Sequence, residues 1–444
     1  MNGWYSMRRD RARQRALLSV GSIVAVLLAL TGSASADTAT TGSAGGGRCG
    51  ADAACVPQTV VLDGRTLRLT RDRARAGDPG LRQEVRALTA RADTLVDQGP
   101  WSVMDKPQTP PGGDRHDYLS QAPYWWPSQP STADNPQGCP YVQRDGVRNP
   151  EVDTITDHAE RGKMFDAVYT LTLAWYYTGN PGYARRAELD LRTWFTDPAT
   201  RMNPNLQHTQ IIPCKTDGRG IGIIDFSQQF TDILDATSLL DTGAPGWTAS
   251  DHREMHSWYD QYLQWLLTSG NAADEAAATN NHGSFFDMQE AALALATGRA
   301  GLARDIVEAA GSKRLDSQLA ADGSQPQEIS RTRSWHYSTF NLVALTRLAD
   351  VGRKVGVDLW HYTTPAGASL SRAVDYLLPA ATGAADWTAP ELSFHAYAAT
   401  DVVHAAADAG DHAARTAVPK LQAPPGGDLW RLRPAAEQLD SIEG

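Results

Sequence analysis

The chain has 444 residues, of which 41% are hydrophobic and 21% are charged, and this composition excludes intrinsic disorder as its dominant state. With 41 Lys and Arg against 51 Asp and Glu, the formal net charge is -10. That balance argues against broad electrostatic binding to nucleic acid. Any polyanion that the protein binds must therefore be met by a local cationic site.

The first 36 residues are predicted to be a secretory signal peptide. Five arginines between Arg8 and Arg15 precede an apolar run over 16–30, and Ala34-Ser35-Ala36 offers small residues for cleavage after about Ala36. The run is shorter than the roughly 20 residues that a transmembrane helix needs. We expect a secreted protein with no membrane attachment after cleavage. Losing five Arg and one Asp would change the net charge from -10 to -14.

The chain contains four cysteines, Cys49, Cys55, Cys139 and Cys214. In an oxidising compartment an even number indicates disulfides. Cys49 with Cys55 would close a short loop and leave Cys139 with Cys214, which is one of three possible pairings. A zinc site is the alternative, but no Cys-x-x-Cys or paired Cys/His spacing supports it.

Residues 37–80 are predicted to form a flexible tether and an N-terminal arm, with a short strand or extended segment over Thr59–Thr70. From Leu81 the apolar spacing becomes helical, and residues 81–444 form one predicted domain. Candidate helices contain Met164–Tyr176 and Tyr183–Phe195, with Gly179-Asn180-Pro181 between them, and others extend over about 227–240, 251–267, 285–296, 302–310, 337–351, 369–378 and 393–407.

Helical pairs joined by short turns over roughly 300 residues favour an all-α fold, an α/α toroid or incomplete helical barrel, over a smaller four-helix bundle. The sequence has no fixed repeat period, which argues against a TPR or HEAT array. Two long polar connections, Pro107–Val152 and Asp197–Ile224, interrupt the helices. We expect the functional groove there, with the helix ends.

Two segments near predicted helix starts carry candidate catalytic groups. Asn281 and His282 precede an apolar helix, where the helix dipole favours a bound anion, although an ordinary helix cap is the alternative. Arg331, Arg333 and Tyr337 lie within two helical turns of one another. Taken alone, that second segment equally fits a solvated basic face with a tyrosine at its edge.

An aromatic loop contains Tyr124, Trp125 and Trp126 next to Pro127. Sugar rings stack on such side chains, while a hydrophobic plug at one end of the helical ring is the alternative. A further segment, Gly218–Gly222, lacks the preceding strand and the Lys-Ser/Thr of a nucleotide-binding loop. It instead favours a backbone shaped around an oligosaccharide.

In their order along the chain, these motifs resemble the alginate lyase superfamily of α/α-toroid polysaccharide lyases, over roughly residues 114–360. One difference is Cys214, which stands where the family pattern leads us to expect Gly. The superfamily includes mannuronan- and glucuronan-cleaving branches, so both substrates stay open. The motifs are Tyr124-Trp125-Trp126-Pro127, Thr200-Arg201-Met202-Asn203-Pro204-Asn205-Leu206, Gly218-Arg219-Gly220-Ile221-Gly222, Asn281-His282-Gly283 and Arg331-Thr332-Arg333-Ser-x-x-Tyr337.

The resemblance implies β-elimination from an acidic polysaccharide. Tyr337 would act as base and acid, and His282 would support catalysis or take one of the two roles. Asn281 and Arg331, with Arg333 as the fallback, would neutralise the uronate carboxylate, because removing the C5 proton builds negative charge beside it. A free Tyr titrates near about pH 10, so Tyr337 needs neighbouring positive charge to act as a base.

The remaining expectations concern subsites and alternatives. We expect a monomer with no cofactor and no metal, because His116, His158, His208 and His336 have no recognisable ligand spacing. One alternative is a glycoside hydrolase using two of the carboxylates Asp225, Asp287 and Glu328, and another is a non-catalytic carbohydrate-binding protein. The substrate-binding candidates are Tyr124, Trp125, Trp126, Gln210, Arg219, Arg333 and Lys163, with Arg161 considered beside them.

Overall fold

The computed structural model describes residues 55–432 of the chain. The predicted signal peptide, the tether over 37–48 and Cys49 lie outside these residues. The helices are α1 (Gly64–Ala76), α2 (Pro79–Leu95), α3 (Asp157–Thr178), α4 (Pro181–Leu191), α5 (Ile224–Leu240), α6 (Ala249–Thr268), α7 (Gly270–Ala276), α8 (Asn281–Ala296), α9 (Ala300–Ala310), α10 (Asp316–Gln318), α11 (Pro326–Ile329), α12 (Ser334–Val355), α13 (Leu370–Ala381), α14 (Thr400–Ala409) and α15 (His412–Ala417).

The helices form two layers. Helices α3, α5, α8 and α12 are buried around most of their circumference, as expected for helices inside a core. Each contacts the next in turn, and α4, α6 and α9 pack outside them with only one buried face. This inner and outer arrangement confirms the predicted all-α toroid. No helix within residues 55–432 is long and apolar enough to cross a membrane.

The expectation of a strand or extended arm reaching Thr70 was wrong beyond residue 63. The Asp63 side chain accepts a hydrogen bond from the Thr66 backbone and starts α1, which a left-handed Gly77 ends. The extended part is limited to the residues before Asp63. There the carboxylate of Asp235 on α5 accepts the backbone N–H of Leu62 at 2.8 Å. The first helix of the domain therefore begins at Gly64 rather than at Leu81.

The two long connections carry four short strands: β1 (Leu119–Gln121), β2 (Trp125–Pro127), β3 (Tyr141–Gln143) and β4 (His208–Ile211). Strands β1 and β4 pair in parallel, and β2 and β3 pair antiparallel. A disulfide joins Cys139 to Cys214 and so ties the two connections together. This confirms half of the predicted pairing, while the pairing of Cys55 with Cys49 involves a residue outside the described part.

Three helix boundaries differ from the predicted ones in ways that matter for the site. Helix α8 begins at Asn281, four residues earlier than predicted, and α12 begins at Ser334. Helix α14 begins only at Thr400, because the preceding segment crosses the start of α12. There the Ser334 backbone donates to the Pro390 carbonyl at 2.9 Å, and the His336 backbone donates to the Glu391 carboxylate at 3.0 Å.

Candidate active site

A cleft of about 810 Å³ lies where the starts of α8 and α12 face the two long connections. We call its α8 and α12 side the helix wall, formed by Asn281, His282, Arg331, His336 and Tyr337. We call the opposite side, from residues 107–152, the loop wall, formed by Tyr124, Trp125, Gln143, Asp145 and Arg148. The floor between them is formed by Ser120, His158, Gln210, Arg219 and Asp225.

Tyr337 lies in the first turn of α12 and lines the cleft although only 8% of it is exposed. Its hydroxyl donates a hydrogen bond to the Tyr124 hydroxyl at 3.0 Å, across from the loop wall. The guanidinium carbon of Arg331 lies 3.7 Å from the centre of the Tyr337 ring. A positive charge this close stabilises a negative charge on the phenol oxygen.

Arg331 is held by Asp145 of the loop wall. Its Nε and Nη2 groups donate to the Asp145 carboxylate at 3.1 and 2.5 Å, and the Thr332 hydroxyl donates to the same carboxylate at 3.0 Å. Burial alone would lower the pKa of Arg331, but the hydrogen bond and the nearby negative charges raise it above its ordinary value. Arg331 therefore stays charged, and its Nη1 group makes no hydrogen bond to the described residues.

Asn281 is fully buried at the first position of α8. Its backbone N–H and its Nδ2 each donate to the Glu328 carboxylate at 2.8 Å, while its Oδ1 accepts no hydrogen bond from any described residue. Burial raises the pKa of Glu328, although these two hydrogen bonds oppose that shift. At Gly283, a side chain would come within 2.1 Å of the Ala278 carbonyl oxygen, which explains the Gly of the Asn-His-Gly motif.

His282 is oriented by a second buried carboxylate. Its Nδ1 lies 3.1 Å from Oε1 of Glu275, which is completely buried in α7. Burial raises the pKa of Glu275, and the neighbouring His282 opposes this shift. Because Nδ1 faces Glu275, Nε2 is the nitrogen left for a substrate in the cleft.

The floor combines an arginine with a buried carboxylate. Arg219 donates to Oε1 of Gln210, and Nε2 of Gln210 donates to Asp225 at 2.6 Å. Burial lowers the pKa of Arg219, although the negative charges of Asp225 and Glu275 oppose this shift. The pKa of Asp225 is lowered, because His158 and several hydrogen bonds outweigh its complete burial. Gln210 adopts a φ of 46°, a strained conformation often found at functional sites.

The aromatic loop divides between the cleft and its surroundings. Trp125 lines the cleft, and the Nζ of Lys215 lies 3.9 Å from the centre of its ring. Trp126 does not line the cleft, and its indole N–H donates to the Val147 carbonyl at 2.8 Å. Trp125 and Tyr124 are half-buried, and each packs against apolar core residues while it lines the cleft.

Two other predicted subsite residues do not reach the cleft. Arg333 is 6% exposed, and its backbone pairs with that of Glu391 on the far side of the α12 start. Lys163 is exposed on α3 and does not line the cleft, while its neighbour Arg161 is fully buried and donates to Gln229 at 3.0 Å. Gln210, Arg219, Tyr124 and Trp125 do line it.

The three carboxylates considered for a hydrolase are not paired across the cleft. Asp287 binds Arg314 at 2.7 Å within the core, and Glu328 is engaged with Asn281. Asp225 lies in the floor with His158 and Gln210. Of these three, only Asp225 lines the described cleft.

No sequence motif marks Asp145, Glu275 or His158 as part of the site. Each is an isolated ionisable residue with no neighbouring motif, and each reaches the site only through the fold. Glu275 has one weak signal, since it lies seven residues before His282 on the short helix that precedes α8. The φ of 63° at Cys214 also explains why the family pattern has Gly at that position.

The comparisons with known proteins agree with this arrangement. A family model described as alginate lyase matches residues 102–387. A solved alginate lyase from Bacteroides ovatus is 34% identical with a TM-score of 0.79, covering 85% of this chain and 99% of that one. Alginate lyase A1-III from Sphingomonas species A1 is 15% identical with a TM-score of 0.47, covering 79% of this chain and 95% of that one. No curated protein sequence matches the chain.

These matches define the class of the protein as a polysaccharide lyase. The chain belongs to the alginate lyase family. This class favours the lyase over the two alternatives of a glycoside hydrolase and a non-catalytic carbohydrate-binding protein.

Proposed function

We propose that the protein cleaves a polyuronate, alginate rich in mannuronate or glucuronan, by β-elimination in this cleft. The observation that carries the proposal is the position of the Tyr337 hydroxyl. It opens into the cleft beside the Arg331 guanidinium, and Asn281 and His282 belong to the same wall. A base, a fixed cation and neutral hydrogen-bonding groups are what this elimination requires.

The first task is to neutralise the uronate carboxylate, because a charged carboxylate resists loss of the neighbouring C5 proton. The Nη1 group of Arg331 can donate to this carboxylate while Nε and Nη2 stay bound to Asp145. The Asn281 Nδ2 group has two hydrogens, and Glu328 accepts one of them. The other hydrogen can therefore be donated to the substrate carboxylate. Glu328 and Asp145 thus hold both donors in place before the substrate arrives.

The second task is proton transfer. Tyr337, as phenolate beside Arg331, removes the C5 proton and then returns it to the O4 atom that leaves. In mannuronate and glucuronate these two positions lie on one face of the sugar, so one residue serves both steps. In guluronate they lie on opposite faces, and His282 through Nε2 would take one role. With Tyr337 serving both steps, the proposal favours mannuronate- or glucuronate-containing polymers.

The test is a screen of polymannuronate, polyguluronate and glucuronan, read by the ultraviolet absorbance of the unsaturated uronate ends that elimination creates. We expect activity on polymannuronate or on glucuronan. Tyr337→Phe should lower kcat by roughly a thousand-fold. Tyr376→Phe is the matched control, because Tyr376 lies exposed on α13. Absence of new absorbance on every polyuronate, or full activity of Tyr337→Phe, would contradict the proposal.

We also propose that the protein is secreted after cleavage near Ala36. The basic start, the apolar run and the small residues support this, and the Cys139–Cys214 disulfide fits an oxidising compartment. N-terminal sequencing of the protein from culture medium tests it. A mature protein that starts near Asp37 is expected, and a protein found only inside the cell with an intact N-terminus would overturn it.

A further inference from the structure

A group of three metal-ligand side chains lies outside the cleft, at the junction of α5 and α6. Asp241 follows the last residue of α5, and His252 and His256 lie on the first two turns of α6. One ligand atom from each of the three residues lies within 4.8 Å of the others. It is the one such group of three among residues 55–432, and none of its members lines the cleft.

The spacing of the two histidines suits one ion. Residues four apart lie on the same face of a helix, as the paired histidines of zinc-binding helices do. The rings of His252 and His256 lie 4.1 Å apart between centres. Tetrahedral zinc, with bonds of about 2.0 to 2.2 Å, places its ligand atoms roughly 3.4 Å apart, so small side-chain rotations close the remaining distance.

The surroundings keep these ligands in place. The Asp241 Oδ1 accepts a hydrogen bond from the buried Trp247 indole at 2.8 Å, while Oδ2 faces Nδ1 of His252 at 2.8 Å. The hydrogen bond from Trp247, which is not a ligand, is of the second-shell kind that orients a ligating carboxylate. Helix α6 itself is fixed at its start by the capping box of Thr248 and Asp251.

We propose that Asp241, His252 and His256 bind one divalent transition-metal ion of the zinc type, with water completing the coordination, and that this ion joins α5 to α6. Two imidazoles and one carboxylate are ligands that zinc accepts. All three side chains are partly exposed, so the ion and its water can reach them from solvent.

The role of this ion is structural. Asp225 of the cleft floor and Asp241 are 16 positions apart on α5, or about 24 Å along the helix axis. At that distance the metal does not touch the substrate or any residue of either wall. It would stabilise the junction by binding the folded chain and not the unfolded one.

The competing explanation is a plain ion pair between Asp241 and His252. The chain offers an internal comparison, because Asp358 and His361 form a similar pair at 2.6 Å with no second histidine. A metal site needs His256 as a third ligand, whereas an ion pair does not. The two explanations therefore differ in what His256 does.

The experiment uses the full chain freed of metal with a chelator and titrated with zinc chloride, by calorimetry and by thermal melting. We expect one zinc per chain and a rise in Tm. His256→Gln and His252→Gln should each weaken zinc binding at least ten-fold and abolish the rise, with metal-free Tm checked for each variant. His361→Gln should behave like the unmodified protein. Failure of the unmodified protein to bind zinc, or unchanged binding in both variants, would overturn the proposal.

Discussion

The two walls of the cleft are built in different ways. On the helix wall, Asn281 and His282 start a buried helix, and each is held by a completely or almost completely buried carboxylate, Glu328 or Glu275. On the loop wall, Tyr124 and Trp125 are half-buried in a connection whose regular structure is three short strands. Under the proposed function, we expect the helix wall to position proton transfer and the loop wall to receive the sugar chain.

Two contacts join the walls across the cleft. The Arg331 guanidinium binds Asp145, and the Tyr337 hydroxyl binds Tyr124. Substitutions on the helix wall should therefore change kcat most, substitutions in the contacts between walls should change it less, and substitutions on the loop wall should change KM.

The largest effect among these variants is expected from Glu275→Gln. The change removes the negative charge that holds Nδ1 of His282, so the imidazole loses its fixed orientation. We expect kcat to fall by roughly ten- to a hundred-fold with little change in KM. Steady-state kinetics on the preferred polymer measure it. Asp274→Asn is the control, since Asp274 is an exposed carboxylate on the same helix, and an equal loss in both variants would contradict the role of Glu275.

A smaller effect is expected from Asp145→Asn. The neutral amide accepts fewer hydrogen bonds from Arg331, so the guanidinium is less well fixed over the Tyr337 ring. We expect kcat to fall about ten-fold, because a displaced charge stabilises the transition state less well. The control is Asp134→Asn, at an exposed position of the same connection. If Asp145→Asn changes KM alone, the contact between the walls serves binding and not catalysis.

A loop-wall substitution should separate binding from chemistry. Trp125→Ala removes the ring that lines the cleft and contacts Lys215, and we expect KM to rise by about five- to ten-fold with kcat nearly unchanged. Trp126→Ala serves as the matched control, because its side chain lies outside the cleft. Equal KM values for the two variants would contradict the assignment of substrate binding to the loop wall.

The last substitution should leave the reaction rate unchanged and affect only stability. Burial and Asp287 raise the pKa of Glu290 on α8 from 4.5 to about 7. A carboxyl group with a raised pKa stabilises the fold fully below about pH 4.5, and this contribution is lost as the pH rises through about 7. Glu290→Gln does not ionise, so it should be more stable than the unmodified protein by roughly 1 to 3 kcal/mol above pH 7.

Denaturant unfolding of Glu290→Gln and the unmodified protein at pH 4.5 and pH 8 measures this difference. The advantage of the variant should be absent or small at the lower pH and present at the higher one. Equal advantages at both pH values would show that packing, and not ionisation, is responsible.

The helix wall was the more predictable of the two walls. Asn281, His282 and Tyr337 were singled out at predicted helix starts, which expose such groups, and the resemblance to the alginate lyase superfamily then assigned them to the site. Asp145 and Glu275 were not found, because their roles depend on contacts with residues 186 and 7 positions away. Lys163 was misplaced for a related reason, since helical spacing alone does not tell which side of an inner helix faces the cleft.

The same limit applies outside the cleft. The His252 and His256 spacing is visible in the sequence, but its third ligand, Asp241, joins it only where α5 ends against α6. Similarly, the alternation before Thr70 indicated an extended segment, and the cap formed by Asp63 decided in favour of a helix. Apolar periodicity alone therefore does not predict where α1 begins or which residue lies beside the two histidines. These features depend on a local helix cap and on a contact between distant parts of the chain.

The disulfide between Cys139 and Cys214 has a consequence for how the chain can be cut. The two cysteines are 75 positions apart and enclose α3 and α4 in a covalent ring. A protease that cleaves the exposed turn at Asp197 therefore opens this ring without separating the protein into two pieces. Only cleavage followed by reduction would free the aromatic loop, so a nicked molecule can keep both walls of its cleft in one covalent unit.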